Sequence, residues 1–99
     1  MDQKVIWTEE AEEQFFGILE YWKNRTQSFS YSIKIKNDLD QKLELILQNP
    51  FIGKESELPG IRSLNFLTNF KVVYGIYDNQ LVVLNLFDMR QDPDKNPFW

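Results

Sequence analysis

The chain has 99 residues, 42% of them hydrophobic and 15% aromatic, with a net charge of −4. That length suits one domain with a thin core, and the apolar content is too high for a disordered segment. With no histidine and no cysteine, imidazole bases, thiolate chemistry, disulfides and Cys/His zinc sites are excluded, and the acidic total argues against a broad nucleic-acid footprint.

Gln3 to Trp7 is a short β-prone run. Thr8 then has the chemistry of a helix N-cap, with Glu9 and Glu10 placed to favour the positive end of the helix dipole. Ala11, Phe15, Ile18 and Trp22, with Leu19 beside them, step at helical spacing, so a first amphipathic helix is expected to fade near residues 24–26.

The following segment supports two readings. Phe29, Tyr31, Ile33 and Ile35 alternate with polar residues as a strand would. Ile35, Leu39, Leu43, Ile46 and Leu47 step as a helix. One long helix from Ser28, as its cap, to Gln48 is preferred, because a helical hairpin needs only a short connection. Asn49-Pro50 ends it.

Residues 50–60, with two prolines and two glycines, are expected to form a loop. Ile61 to Leu67, Phe70 to Tyr77 and Leu81 to Phe87 are three expected strands, joined by two-residue turns at Thr68-Asn69 and Asp78-Asn79. The predicted fold is α+β: an N-terminal strand, a two-helix hairpin and a three-stranded antiparallel meander forming one sheet.

With two-residue turns, parity places Arg62, Leu64, Phe66, Lys71, Val73 and Asp88 on one sheet face. It places Phe70, Val72, Tyr74, Ile76, Val83 and Phe87 on the other. Two helices can cover one face only. The second is either covered by a bulge or the tail, or kept for a partner, and the partner reading is preferred.

No phosphate-binding glycine loop or nucleophile elbow is present. The paired acids Glu9/Glu10 and Glu12/Glu13 are explained by the helix start. The basic residues left for chemistry are Arg62, Lys71 and Arg90. They are candidates for holding phosphate oxygens. The plainer alternative pairs Arg62 with Glu55 or Glu57, Lys71 with Asp88, and Arg90 with Asp88 or Asp92.

The order of strand, helical hairpin, Asn49-Pro50, Gly60-Ile-Arg-Ser-Leu64, Phe70-Lys-Val-Val-Tyr74 and Leu86-Phe-Asp-Met-Arg-Gln-Asp-Pro93 resembles the RelE/ParE superfamily of bacterial type II toxins, over nearly the whole chain. The resemblance implies helix at 29–35. It implies a small antitoxin protein as partner, with Tyr74, Phe87 and Asp88 as partner-binding candidates. A homodimer is compatible with it.

The resemblance also implies one of two activities. RelE-like members cut mRNA in the ribosomal A site without metal; there, Arg62, Lys71 and Arg90 would be the catalytic residues. ParE-like members inhibit DNA gyrase. This sequence lacks the strongly basic surface of the RNA-cutting members and their His or Tyr after the late arginine. That favours the ParE-like branch, or a member that has kept only a binding role. No cofactor, metal or membrane contact is expected, and the absence of an apolar leader or span points to the cytoplasm.

Overall fold

The computed structural model describes residues 5–90. The start of the first expected strand, Gln3-Lys4, and the tail from Gln91, including Asp92 and Pro93, lie outside the described residues. The elements in chain order are β1 (Val5–Trp7), α1 (Glu9–Thr26), α2 (Ser30–Gln48), β2 (Lys54–Glu55), β3 (Ile61–Phe66), β4 (Phe70–Tyr77) and β5 (Gln80–Asp88).

Thr8 caps α1 as its chemistry requires: its hydroxyl accepts from Ala11 N at 3.1 Å. The segment that alternated like a strand is helical. Ser32 is buried and donates to Leu19 O at 2.9 Å, while Ile33 is exposed. Packing against α1 therefore selects the 3.6-residue period over the 2-residue one. Ser28 is not the cap residue. Phe29 takes that position without a side-chain hydrogen bond, and Ser28 Oγ accepts from Ser30 N at 3.1 Å one step outside it.

The sheet is larger than a three-stranded meander. It has five strands in the order β1-β5-β4-β3-β2, with β1 parallel to β5 and the remaining pairs antiparallel. The expected loop at 50–60 contains β2, which pairs Lys54 with Ser63 and Glu55 with Arg62. Where β1 ends, α1 takes over the edge of β5. Thr8 N and Oγ1 donate to Val83 O and Leu84 O, and Gln14 Oε1 accepts from Leu86 N at 2.8 Å.

Asp78 and Asn79 form the expected two-residue turn, both with positive φ. The other turn is one residue longer. Phe66 pairs with Phe70, so Leu67, Thr68 and Asn69 form the connection, with φ of 44° and 65° at Leu67 and Thr68. Asp38 of α2 steadies it by accepting from Leu67 N at 3.0 Å. A bulge in β5 at Leu84 shifts the second register, since Tyr74 pairs with Val83 and Val73 with Asn85.

Both irregularities re-sort the faces. Arg62, Leu64, Phe66, Phe70, Val72, Tyr74, Val83, Leu86 and Asp88 share the helix-covered face, where Ala11, Ile18, Ile35, Leu39, Leu43 and Ile46 complete the core. Lys71 and Phe87, which are Cα partners, fall on the opposite face with Ser63, Asn65, Val73 and Asn85. Arg62 and Lys71 therefore do not share a face, Lys71 is not a diagonal neighbour of Asp88, and Phe87 does not share a face with Tyr74. This second face is mixed in character, and Val73 and Asn85 on it are buried. Among the described residues, no helix is long and apolar enough to cross a membrane.

Candidate functional site

Arg62 stands where β2, β3 and the 50–53 segment meet. Its Nη1 donates to Gly53 O at 2.9 Å and more weakly to Phe51 O at 3.4 Å. Its Nη2 lies 3.7 Å from Glu55 Oε1, and the guanidinium lies 5.1 Å from the centre of the Phe51 ring. The alternative pairing of Arg62 with an acid of the preceding loop is therefore the one found, with Glu55 brought opposite by the β2–β3 register.

Tyr74 forms the floor of this corner. It is fully buried, so it lies inside the fold rather than on a partner surface. Its hydroxyl donates to Pro50 O at 2.8 Å and accepts from Gly53 N at 2.9 Å. A Cβ on Gly53 would stand 2.5 Å from that oxygen and 2.8 Å from Ser63 O, so the close approach requires glycine. Burial pushes the Tyr74 pKa up against the opposing effects of the Gly53 hydrogen bond and the Arg62 charge.

Arg90 occupies a second corner, past the end of β5. Its guanidinium lies 4.3 Å from the Trp22 ring centre, 5.0 Å from that of Phe70 and 5.7 Å from that of Tyr31. It donates to Tyr31 Oη at 2.8 Å and lies 3.4 Å from Asp88 Oδ1. The buried Asp88 carboxylate also accepts from Trp22 Nε1 at 2.7 Å and from Arg90 N at 3.0 Å. Burial lowers the Arg90 pKa, but the Tyr31 hydrogen bond and the Asp88 charge outweigh it, and the net shift is upward. Asp88, like Tyr74, thus works inside the fold; Phe87 is half-buried on the opposite sheet face.

The three basic candidates do not converge. Arg62 is level with Tyr74 and Arg90 with Phe70, about 13 Å apart along β4 at 3.3 Å per residue. Lys71 lies on the other side of the sheet, near Lys54. Burial first and the Lys54 charge second lower its pKa. A single phosphate cannot touch all three. Among the described residues, no group of three or more His, Cys, Asp or Glu side chains could hold a metal ion.

Sequence reasoning missed Gly53 and Phe51 at the Arg62 corner, and Trp22 and Tyr31 at the Arg90 corner. Trp22 was visible on the apolar stripe of the first helix, and Tyr31 only in the segment that supported both a strand and a helix. Nothing in their spacing ties them to an arginine 68 residues beyond the first and 59 beyond the second.

The corners sit in a fold shared with several solved structures. A chain of the chromosomal ParDE TA system from P. aeruginosa superposes with a TM-score of 0.72 at 18% identity, covering 87% of this chain and 95% of that one. The YoeB dimer from Staphylococcus aureus matches with a TM-score of 0.60 at 16% identity, covering 86% and 94%. A chain of the E. coli DinJ–YafQ complex matches at 0.56 and 10% identity, covering 90% and 96%. At these identities the likeness establishes the fold alone. No curated protein matches by sequence. The family model of the ParE toxin of type II toxin–antitoxin systems, parDE, spans residues 5–93. With nearly the whole chain matched, the protein belongs to the ParE toxin family of type II toxin–antitoxin systems.

Proposed function

We propose that this ParE-family toxin acts in the cytoplasm on DNA gyrase and is neutralised by a small antitoxin protein. The observation that carries the choice of target is the dispersal of Arg62, Lys71 and Arg90 over two faces and two ends of the sheet. Metal-free RNA cleavage needs cationic and proton-transferring groups aimed at one phosphate. Here Arg90 is engaged by aromatic rings and the buried Asp88 carboxylate of its own fold, and Arg62 stands alone in its corner among the three basic candidates. A net charge of −4 adds no long-range attraction for the ribosome.

In this reading the antitoxin wraps the helices and the side of the sheet that carries Phe87. Tyr74 and Asp88 contribute from inside, by holding the 50–53 segment and Arg90. Expression of the toxin alone is expected to arrest growth and induce a DNA-damage response. The purified protein is expected to inhibit gyrase supercoiling, and primer extension on translated mRNA is expected to show no new cleavage. A-site cleavage that Arg62→Ala abolishes would replace this reading with the nuclease one. Normal growth at high expression would leave only a binding module of the same fold.

A further inference from the structure

We propose that the cavity beside Arg62 is a docking site for a carboxylate side chain flanked by apolar residues, supplied by the protein partner, and that Glu55 is the internal stand-in this carboxylate displaces. The proposal deepens the antitoxin reading by naming the chemistry of what docks at one place.

The cavity measures about 510 Å³, within the range of sites that enclose a ligand group. Arg62 lies on its wall and is mostly buried, with 23% of its side chain exposed. The guanidinium is held in place rather than mobile. Gly53 O fixes Nη1, and Phe51 packs over the plane. Gly53 is itself fixed by the buried Tyr74 hydroxyl. Among the described residues, Arg62 Nε takes no hydrogen-bond partner, and Nη2 faces only Glu55. A guanidinium has five donors in a fork that matches a carboxylate, so the present pairing leaves bidentate capacity open.

Glu55 is a weak occupant. Its side chain is 71% exposed and its oxygen stands 3.7 Å away, too long for a hydrogen bond. Exposed pairs of this kind are easily exchanged. The surroundings select what replaces it. Phe51 is 74% exposed and Ile76 40%, and Pro50 also lines the cavity. Leu58, 49% exposed, lies in the neighbouring loop. One buried-edge cation within an apolar rim suits a peptide carboxylate with apolar neighbours. A nucleic-acid backbone would bring several charges to a rim that offers one cation, on a protein of net charge −4.

The test uses the purified full chain and four probes: acetyl-Leu-Glu-Phe-amide, its Gln counterpart, inorganic phosphate and a ten-nucleotide single-stranded RNA. Binding is read from NMR shifts of the Arg62 side chain and the Phe51 amide. The Glu peptide is expected to shift both and the Gln peptide to bind at least about tenfold more weakly, as for loss of a charge-assisted pair. Glu55→Gln should tighten the Glu peptide about two- to fivefold by removing the competitor. Phe51→Ala should weaken it, and Phe51 is exposed enough for the fold to survive the change. Arg62→Gln should abolish the Phe51 amide shift if its amide spectrum remains folded; otherwise the Glu55 and Phe51 variants decide. Equal binding of the Gln peptide, no tightening in Glu55→Gln, or preference for phosphate or RNA would each overturn the proposal. None of these readouts depends on toxicity, so failure here is distinct from failure of the gyrase or antitoxin reading.

Discussion

Replacing Tyr74 by Phe deletes one oxygen from the interior and leaves the ring in place. That oxygen is the acceptor for Gly53 N and the donor to Pro50 O, at 2.9 and 2.8 Å. Gly53 is buried, so its N–H is left without a partner, at a cost of about 1–3 kcal/mol. Pro50 is only half-buried, and water can reach its carbonyl, so the second loss is nearer the net value of an ordinary hydrogen bond, about 1 kcal/mol. The expected total is about 2–4 kcal/mol, a large share of the about 5–15 kcal/mol that holds a domain folded. For a domain this small, about 4–8 °C in Tm accompanies each kcal/mol, so melting should fall by roughly 10 °C or more. Urea titration followed by circular dichroism measures the loss, with an unchanged m-value. Hydrogen exchange at the Gly53 amide locates it. A change below about 0.5 kcal/mol, the range of neutral surface substitutions, or an undiminished protection of Gly53, would refute the assignment of Tyr74 as the fastener of the 50–53 segment.

The same hydroxyl makes the alkaline limit predictable. Its folded pKa lies above the ordinary 10.0, so the neutral form is favoured in the fold. Stability from this group is complete below pH 10.0 and declines as pH rises from there through the folded pKa; urea titrations between pH 8 and 11.5 should show the decline in the native protein and a flatter profile in Tyr74→Phe. Asp88→Ala should cost about 3–5 kcal/mol, because it strands the Arg90 charge and the Trp22 indole N–H, and the Trp22 fluorescence should change with it. Gln14→Ala should cost about 1 kcal/mol and speed exchange of the Leu86 amide, whose acceptor it removes. Two Gly→Ala changes should differ sharply in denaturation midpoint. At Gly53 the new Cβ meets Ser63 O of the backbone at 2.8 Å and should cost about 2 kcal/mol or more. At Gly75 its three nearest atoms all belong to the side chain of Tyr77, which is exposed and free to swing aside, and the change should cost under about 1 kcal/mol. Equal losses at the two glycines would refute that contrast.

Local chemistry was enough to place most elements. Thr8 before a run of acids specifies a cap, the spacing of Ala11, Phe15, Ile18 and Trp22 specifies a helix, and Asp78-Asn79 tolerates the positive φ that a two-residue hairpin turn demands. The order of motifs was enough to identify the superfamily. Register was beyond such reasoning. Whether Leu67 ends β3 or enters the turn depends on Asp38, 29 residues earlier, offering its carboxylate to Leu67 N. The bulge at Leu84 lies beside Gln14, whose side chain accepts from Leu86 N two residues further along the strand. Because side chains alternate along a strand, each one-residue shift exchanges the faces, and these two separated Lys71 from Arg62 and Phe87 from Tyr74. The parallel pairing of β1 with β5 likewise carries no local signature, since it is completed by residues distant in the chain, and the two-residue β2 is too short to show an alternation of its own. By itself the sequence determined most of the elements, the family and the identity of the basic residues. Only the tertiary structure decided that Arg62 and Arg90 stand in separate corners, each held by its own set of partners, because that outcome rests on hydrogen bonds between residues that no spacing relates.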